Sequence, residues 1–523
     1  MKPIYALLGA LLLVVVVPRC AADPRPNVLL IMADDLGYSD LGCYGGEIAT
    51  PSLDRLAAQG MRFTQFYNCA VCVTTRAALL TGLYPRKVSR NNKRIRPDMI
   101  TLGEAMRAAG YATALTGKWH LGSSAPNRPI DRGFEEYYGL MDGCCSFFNP
   151  AKPDPEFYNG GRVRPFAHND RAIKEFPEGF YTTDAFSDHA VETIGRFAKE
   201  ERPFFLHLCY TAPHFPLHAL PEDIAPHRGK YAEGYQALRA RRHERQKRLG
   251  LFETTPVLTP AENKKGDYRY DYDVPDWSNL APAERKREEA RMETYAAMVE
   301  RMDRGIGHVL AALEEAGVAD NTVVMFLSDN GGCASWPRAD REAGFEEYNK
   351  DIPVGDGRGY EFVGKGWGWA QNAPFRQFKT WTYEGGIATP MIVRWPGKVA
   401  PGSITHQVGH VIDFMPTLLK LAKSDYPAEH EGRKLLPVEG RSLLPVLLGK
   451  ERDGHETLAW ELFGNRAVRR GDWKLVWGAS EKKWELYNLK TDRSESSNQA
   501  EGNPQKVADM AKNWETWWER MQR

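Results

Sequence analysis

The 523-residue chain has little of three things, and each shortage excludes a class of function. It has almost no excess of charge. Sixty-nine Lys and Arg stand against 68 Asp and Glu, a formal net charge of +1. A dedicated nucleic-acid binder needs a broad basic face, so this balance argues against nucleic acid as a partner. Any attraction to an anion has to be local, inside a cleft. Cysteine is scarce: eight residues are far too few for a disulfide scaffold of this length. Long hydrophobic runs are also missing. The longest, Tyr5–Val17, is too short to cross a bilayer comfortably, so no stable membrane insertion is expected. No internal repeat is visible.

The N-terminus reads as an export signal. Lys2 supplies the positive end, Tyr5–Val17 the apolar run, and Cys20-Ala21-Ala22 a small-residue cleavage site. Residues 1–22 are therefore expected to be removed, and the mature protein to be exported, periplasmic or secreted. A lipid anchor on Cys20 would need small residues where Pro18-Arg19 stand. Seven cysteines remain after such cleavage, an odd number that leaves at least one thiol to explain.

Short apolar runs alternate with helical stretches. This pattern predicts an α/β fold, with a large, mostly parallel central sheet flanked by helices on both faces. Val28–Met32, Ala112–Leu115, Phe204–Cys209, Thr322–Leu327 and Met391–Val393 are the buried-strand candidates. Leu53–Gln59 and Arg285–Ala316 read as helices, the latter with Met292, Tyr295, Met298, Val299, Met302 and Ile306 at helical spacing. A polar insertion, 222–291, carries the basic run Arg239–Arg248. That run is read either as an anion- or polysaccharide-binding patch or as a solvated helix face. Val468–Trp477 and Trp484–Asn488 look like antiparallel strands, followed by a helix from Pro504. The expected division is a catalytic domain, 23–449, and a smaller C-terminal α+β subdomain of antiparallel sheet plus helix, 450–523. Oligomeric state is not legible.

Ligands of open α/β sheets bind beyond the carboxyl ends of the strands. The residues that follow each apolar run are therefore the candidates for chemistry. The first run leads into Asp34-Asp35-Leu-Gly and the fourth into Ser328-Asp329-Asn330-Gly-Gly. Three carboxylates and an amide at one edge repel one another unless a cation sits among them. An all-oxygen donor set suits Ca²⁺ or Mg²⁺ better than zinc. The other runs lead into Gly117-Lys118-Trp119-His120 and Ala212-Pro213-His214. Lys379 precedes the Tyr383-Glu384-Gly-Gly turn. These supply cations for an oxyanion and proton-transfer groups. Trp119, Tyr360, Trp367 and Trp369 lie near the motifs, as a sugar or aryl platform or as packing residues.

Cys72 stands at the head of a short helical run, Arg76-Ala-Ala-Leu-Leu, where a helix dipole acidifies a thiol. A thiolate matches a hard cation poorly, and an oxygen nucleophile at that position fits better.

At these residues the chain resembles the type I sulfatases of the alkaline phosphatase superfamily, arylsulfatase branch. That family carries Cys-x-Pro/Ala-x-Arg, whose Cys is oxidised to formylglycine (3-oxoalanine). Here the segment is Cys72-Val-Thr74-Thr-Arg76, followed by Ala-Ala-Leu-Leu-Thr-Gly, with Thr74 departing from the pattern. Six motifs follow in the family's order, and Asn372–Arg376 and Gly464–Arg469 add to the likeness. The resemblance implies hydrolysis of sulfate monoesters, aryl or carbohydrate. It implies Ca²⁺, with Mg²⁺ the lesser candidate, held by Asp34, Asp35, Asp329, Asn330 and the modified Cys72. The hydrated aldehyde would attack sulfur, with Arg76 and His120 positioning and deprotonating it. Lys118 and Lys379 would bind sulfate oxygens, and His214 would bind substrate and protonate the leaving alcohol. The partners implied are a small-molecule or glycan sulfate ester and a formylglycine-generating maturation enzyme. A phosphate or phosphonate ester hydrolase on the same fold, or an unmatured sulfated-glycan-binding relic, are the competing readings.

Overall fold

The computed structural model describes residues 25–88, 95–261, 264–265, 271–272 and 274–523. The expected export signal, 1–22, lies outside them. An eleven-stranded sheet forms the centre. Its strands are β1 (Asn27–Ala33), β2 (Met61–Tyr67), β3 (Ala112–Gly117), β4 (Glu136–Leu140), β5 (Phe166–His168), β6 (Arg171–Ile173), β7 (Phe204–Cys209), β8 (Thr322–Ser328), β9 (Ala388–Arg394), β10 (Ser403–Thr405) and β11 (Gly409–His410). They lie in the order β10-β2-β9-β8-β1-β7-β3-β4-β5-β6, with β11 also against β2.

Five adjacent strands, β8-β1-β7-β3-β4, run parallel. Every residue of β1, β3, β7 and β8 is buried, as a sheet covered on both faces requires. Each fully buried aliphatic side chain there contributes about 1.5–3 kcal/mol. The covering helices form two groups. In one, α1 (Pro51–Ala58) and α4 (Thr182–Phe197) pack on the long α6 (Pro282–Glu315); in the other, α2 (Cys72–Thr81), α3 (Leu102–Ala108) and α7 (Phe414–Leu421) pack together. Helix α3 starts at a capping box, in which Thr101 Oγ1 accepts from Glu104 N and Glu104 returns the bond to Thr101 N.

Strand β9 reverses the parallel pattern: it runs antiparallel to both β8 and β2. The sequence does not announce this, yet it positions the site. A reversed strand begins at the edge where its neighbours end, so Lys379 and Glu384, which precede β9, arrive beside the residues that follow β1 and β8. Strand β2, whose exit leads to Cys72, was not among the expected strands. Its pattern of mixed polar and apolar residues, MRFTQFY, hides its near-complete burial.

Two further expectations are corrected. Residues 468–477 are not one strand: they span the end of β13 (Asn465–Arg470) and β14 (Trp473–Trp477), joined by a turn at Gly471-Asp472. With β12 (Leu458–Leu462) and β15 (Trp484–Asn488) these form a four-stranded antiparallel sheet, on which α8 (Pro504–Gln522) packs. The basic run forms α5 (Gly234–Arg248); Arg241, Arg245, Lys247 and Arg248 lie on an exposed face, as the solvated reading has it, but two arginines turn inward. Arg239 and Arg242 are fully buried. Arg239 donates to Trp369 O, Pro374 O and Phe375 O, while Arg242 pairs with Asp40 and Glu47. The helix braces the loop after Lys365–Ala370 against the turn after β1.

Candidate active site

Strand ends deliver the charged residues to one hollow. Ala33 lies opposite Ser328, and Met32 opposite Cys209, so the turns after β1, β7 and β8 leave the sheet at the same level. Ser328 Oγ stitches two of these turns together, accepting from Leu36 N at 3.0 Å and donating to Asn330 O at 2.9 Å. Gly117 ends β3 at φ 102°, where a Cβ would fall 1.8 Å from Cys209 O. Only glycine permits that approach, and it aims Lys118 into the hollow.

Three carboxylates and three cations meet there. Lys118 Nζ donates to Asp34 Oδ2 at 2.5 Å, with both side chains fully buried. Lys379 Nζ donates to Asp35 Oδ1 and Oδ2 at 2.6 and 2.8 Å. Arg76 donates to Asp329 Oδ2 through Nε (3.1 Å) and Nη2 (2.8 Å), and to Lys118 O through Nη1 (2.8 Å). Asn330 Nδ2 donates to Asp35 Oδ1 at 2.7 Å. Two deeply buried oxygens, Asp34 Oδ1 and Asn330 Oδ1, have no hydrogen-bond partner among the described residues. Unsatisfied buried acceptors are costly, and two in one hollow mark a place for a cation. Asp34, Cys72 and Asp329 bring potential ligand atoms within 4.8 Å of one another, as do Asp34, Asp35 and His214.

Cys72 is the first residue of α2, and its Sγ lies 3.4 Å from His120 Nδ1. Burial pushes its thiol up, against the pull of Lys118 and Lys379 and with the help of Asp34 and Asp329. Burial and the two carboxylates therefore act against the acidification that a helix start favours. His120 sits at φ 66° and is itself pushed well below the histidine range by burial, Lys118 and Arg76. His214 Nδ1 lies 2.5 Å from Phe215 O and its Nε2 3.4 Å from Asp35 Oδ2. Burial lowers its affinity for a proton strongly, while Asp35 raises it. Burial pushes Asp34 well above the carboxylate range, aided by Asp329. Burial also acts on Asp35, but His214 and Lys379 outweigh it and hold that group well below the range.

All ten residues singled out from the sequence thus converge on this hollow. The aromatic platform does not. Trp119, Tyr360, Trp367 and Trp369 are buried packing residues; Trp367 meets Tyr231, Tyr235 and Trp277, and Trp369 lies under the Arg239 guanidinium. Two contacts escaped the sequence reading, one of them from Asn372, which figures there only as part of a family-like stretch. Gly143 covers His120 so closely that a Cβ would come within 2.8 Å of the ring. Asn372 Oδ1 accepts from Gly332 N at 2.9 Å and fixes the turn after β8. Neither contact carries a local signal.

Residues 26–424 match the Sulfatase family model. The chain belongs to the sulfatase family. As a sulfatase it is a sulfuric ester hydrolase, and its large mixed sheet with helices is that family's fold. Residues 375–520 match the model described as N-sulphoglucosamine sulphohydrolase, C-terminal. The chain is 33% identical to an arylsulfatase of Klebsiella aerogenes, over 83% of this chain and 94% of that one. It is 32% identical to an uncharacterised sulfatase of Schizosaccharomyces pombe, over 94% and 93% of the two chains. Among solved structures it resembles Ps i-CgsB in complex with k-i-k-neocarrahexaose, with TM-score 0.68 and 27% identity over 94% of this chain and 92% of that one.

Proposed function

We propose that this sulfatase hydrolyses a carbohydrate sulfate, using a formylglycine made from Cys72 and a Ca²⁺ ion held by Asp34, Asp35, Asp329 and Asn330. One observation carries the metal assignment: buried oxygens of Asp34 and Asn330 stand unpartnered beside two further carboxylates. The donors are all oxygen, which fits a hard cation, and their irregular disposition on two turns suits Ca²⁺ better than the stricter Mg²⁺. Three carboxylates already balance three cations, so a divalent ion leaves the hollow positive, the sign an anionic sulfate ester needs. When present, the ion supplies positive charge to the sulfate oxygens, and the formylglycine supplies a hydrated-aldehyde oxygen as nucleophile.

The chain's own side chains do the rest. Arg76, clamped on Asp329 and Lys118 O, fixes the first turn of α2 and so orients residue 72. His120 Nδ1 faces that residue and takes its proton. Lys118 and Lys379 bind sulfate oxygens and stabilise the charge that grows in the transition state. His214 sits between two acceptors, Phe215 O and Asp35, which oppose the burial that disfavours its protonated form, and it hands a proton to the leaving alcohol. The sugar bound by Ps i-CgsB supports a glycan substrate. Residues 450–523 act as a C-terminal subdomain that closes on the Glu384 turn. Among the described residues no helix is long and apolar enough to cross a membrane, and the N-terminal sequence supports export.

The test is mass spectrometry of the Cys72 peptide from enzyme matured in its own host, followed by sulfate release from a panel of sulfated saccharides and from an aryl sulfate and its phosphate analogue. Formylglycine at residue 72 and faster turnover of sulfate esters are expected. An unmodified thiol, or preference for the phosphate, overturns the assignment.

A further inference from the structure

A second cluster of ligating side chains lies on the same sheet, away from the hollow. Glu136 begins β4, His168 ends β5, and His189 projects from α4. One ligand atom from each lies within 4.8 Å of the others. His168 Nε2 is 2.7 Å, and His189 Nε2 3.4 Å, from Glu136 Oε1. We propose that Glu136, His168 and His189 form a second metal site, which takes Zn²⁺ or a similar borderline divalent ion.

Several observations support this beyond the ion pairs themselves. The three residues come from three elements far apart in sequence, so local turn chemistry does not explain their meeting. Thr116 Oγ1 lies 2.9 Å from His189 Nδ1, a bond that occupies that nitrogen and leaves Nε2 for a metal, as the outer shells of histidine–metal sites do. Arg196 holds the other Glu136 oxygen at 3.2 Å. Tyr138 orients both imidazoles, stacked on His189 at 5.0 Å and edge-on to His168 at 5.9 Å. His168 is 39% exposed, which gives an ion a way in and leaves room for water as a further ligand.

The donor set decides the metal. Two imidazoles and one carboxylate select zinc, cobalt, nickel or copper, whereas the all-oxygen hollow selects a hard ion. The two sites therefore do not compete for one metal. An ion here would tie β4, β5 and α4 together at the root of the 141–165 segment, whose Gly143 covers His120.

The test uses the full enzyme in excess Ca²⁺, titrated with Zn²⁺ by calorimetry and with Co²⁺ by visible absorption. One added ion per chain, tetrahedral Co²⁺ bands and a rise in Tm at saturating Zn²⁺ are expected. His168→Ala, at a half-exposed position, should keep the wild-type circular dichroism spectrum and its turnover of aryl sulfate without zinc, yet bind Zn²⁺ at least about tenfold more weakly. Glu136→Gln should weaken binding likewise. The proposal is overturned if wild-type enzyme takes up no added ion. It is equally overturned if His168→Ala and Glu136→Gln bind as tightly as wild type. Because the readouts are binding and Tm, neither outcome depends on the catalytic assignment.

Discussion

Two clusters of buried charge approach each other along the chain at Lys379 and Glu384, and they are built to different ends. At the seam with the C-terminal sheet, Glu384 receives Lys474 at 2.9 Å, Arg493 at 2.8 Å and the Tyr67 hydroxyl at 2.9 Å. Lys474 also meets Glu495 at 2.8 Å, and Glu495 Oε2 accepts from Glu384 N. The oxygens of Glu384 are met from within the chain, as a structural ion cluster demands. In the hollow, by contrast, Asp34 and Asn330 keep an oxygen each without a partner, and the groups that line it, Cys72, His214 and Lys379, retain about 5–6% exposure. Burial of charge is common to both. Glu495 Oε1 also lacks a hydrogen bond, but Lys474 Nζ lies 2.8 Å from it; unmet oxygens beside partly exposed groups distinguish a site that binds something from a joint that holds something shut.

Four changes would break or sharpen this contrast. The largest effect is expected of Cys72→Ala, which should cost at least ~10⁴-fold in turnover of an aryl sulfate, about 5.5 kcal/mol of transition-state stabilisation. Its Tm and its stabilisation by Ca²⁺ should stay close to wild type; measurable steady turnover would remove residue 72 as the nucleophile. Glu384→Ala acts on the joint. It leaves Lys474 and Arg493 short of a buried partner and should lower stability by about 3–5 kcal/mol in urea unfolding. The fraction still folded should turn over at near the normal rate, whereas a specific loss of turnover would mean that the seam shapes the hollow.

His214→Ala should slow esters of poorly departing alcohols about 10²-fold and nitrophenyl sulfate much less, because nitrophenolate leaves without a proton. Equal losses on both substrates would exclude it as the acid. The smallest effect concerns Glu495. Burial, opposed by Lys474 and supported by Glu384, pushes its carboxyl up to about 7. A carboxyl whose folded value is raised holds its proton more tightly in the folded state. Its contribution to stability is complete below the unfolded value and is lost as pH rises towards 7. Stability should thus decline by on the order of 2 kcal/mol between about pH 5 and 8, and Glu495→Gln should flatten that decline. An unchanged pH profile in the variant would assign the dependence elsewhere.

Most of the candidate edge was legible because Asp34, Lys118, His214 and Asp329 come just after runs whose burial is written in their composition; Cys72 and Lys379 do not, and were found from a helix start and a glycine turn. VLLIM leads to Asp34 and TVVMFL to Asp329, and a strand's end is where its sheet opens. The same reasoning failed on β2. Its Arg62 and Gln65 point to partners supplied by distant segments, Cys43 O and His406 O, and so read as solvent-facing. It failed on Arg239 and Arg242 of α5 for the same reason. A run of arginines reads as solvated until three carbonyls and two carboxylates, 130 and 200 residues away, are found around it.

By itself, then, the sequence determined the sheet-and-helix class, an oxygen-rich cluster at the strand ends, the place of Cys72 at a helix start and the family. All of these depend on residue type and short spacing. Only the tertiary structure decided that β9 runs backwards and brings Lys379 to Asp35, that the α5 arginines brace a loop, that Gly143 roofs His120, and that two histidines share Glu136. Each of these is a contact between segments far apart along the chain. Such contacts depend on how strands pair and helices dock, and no local pattern of residues encodes that.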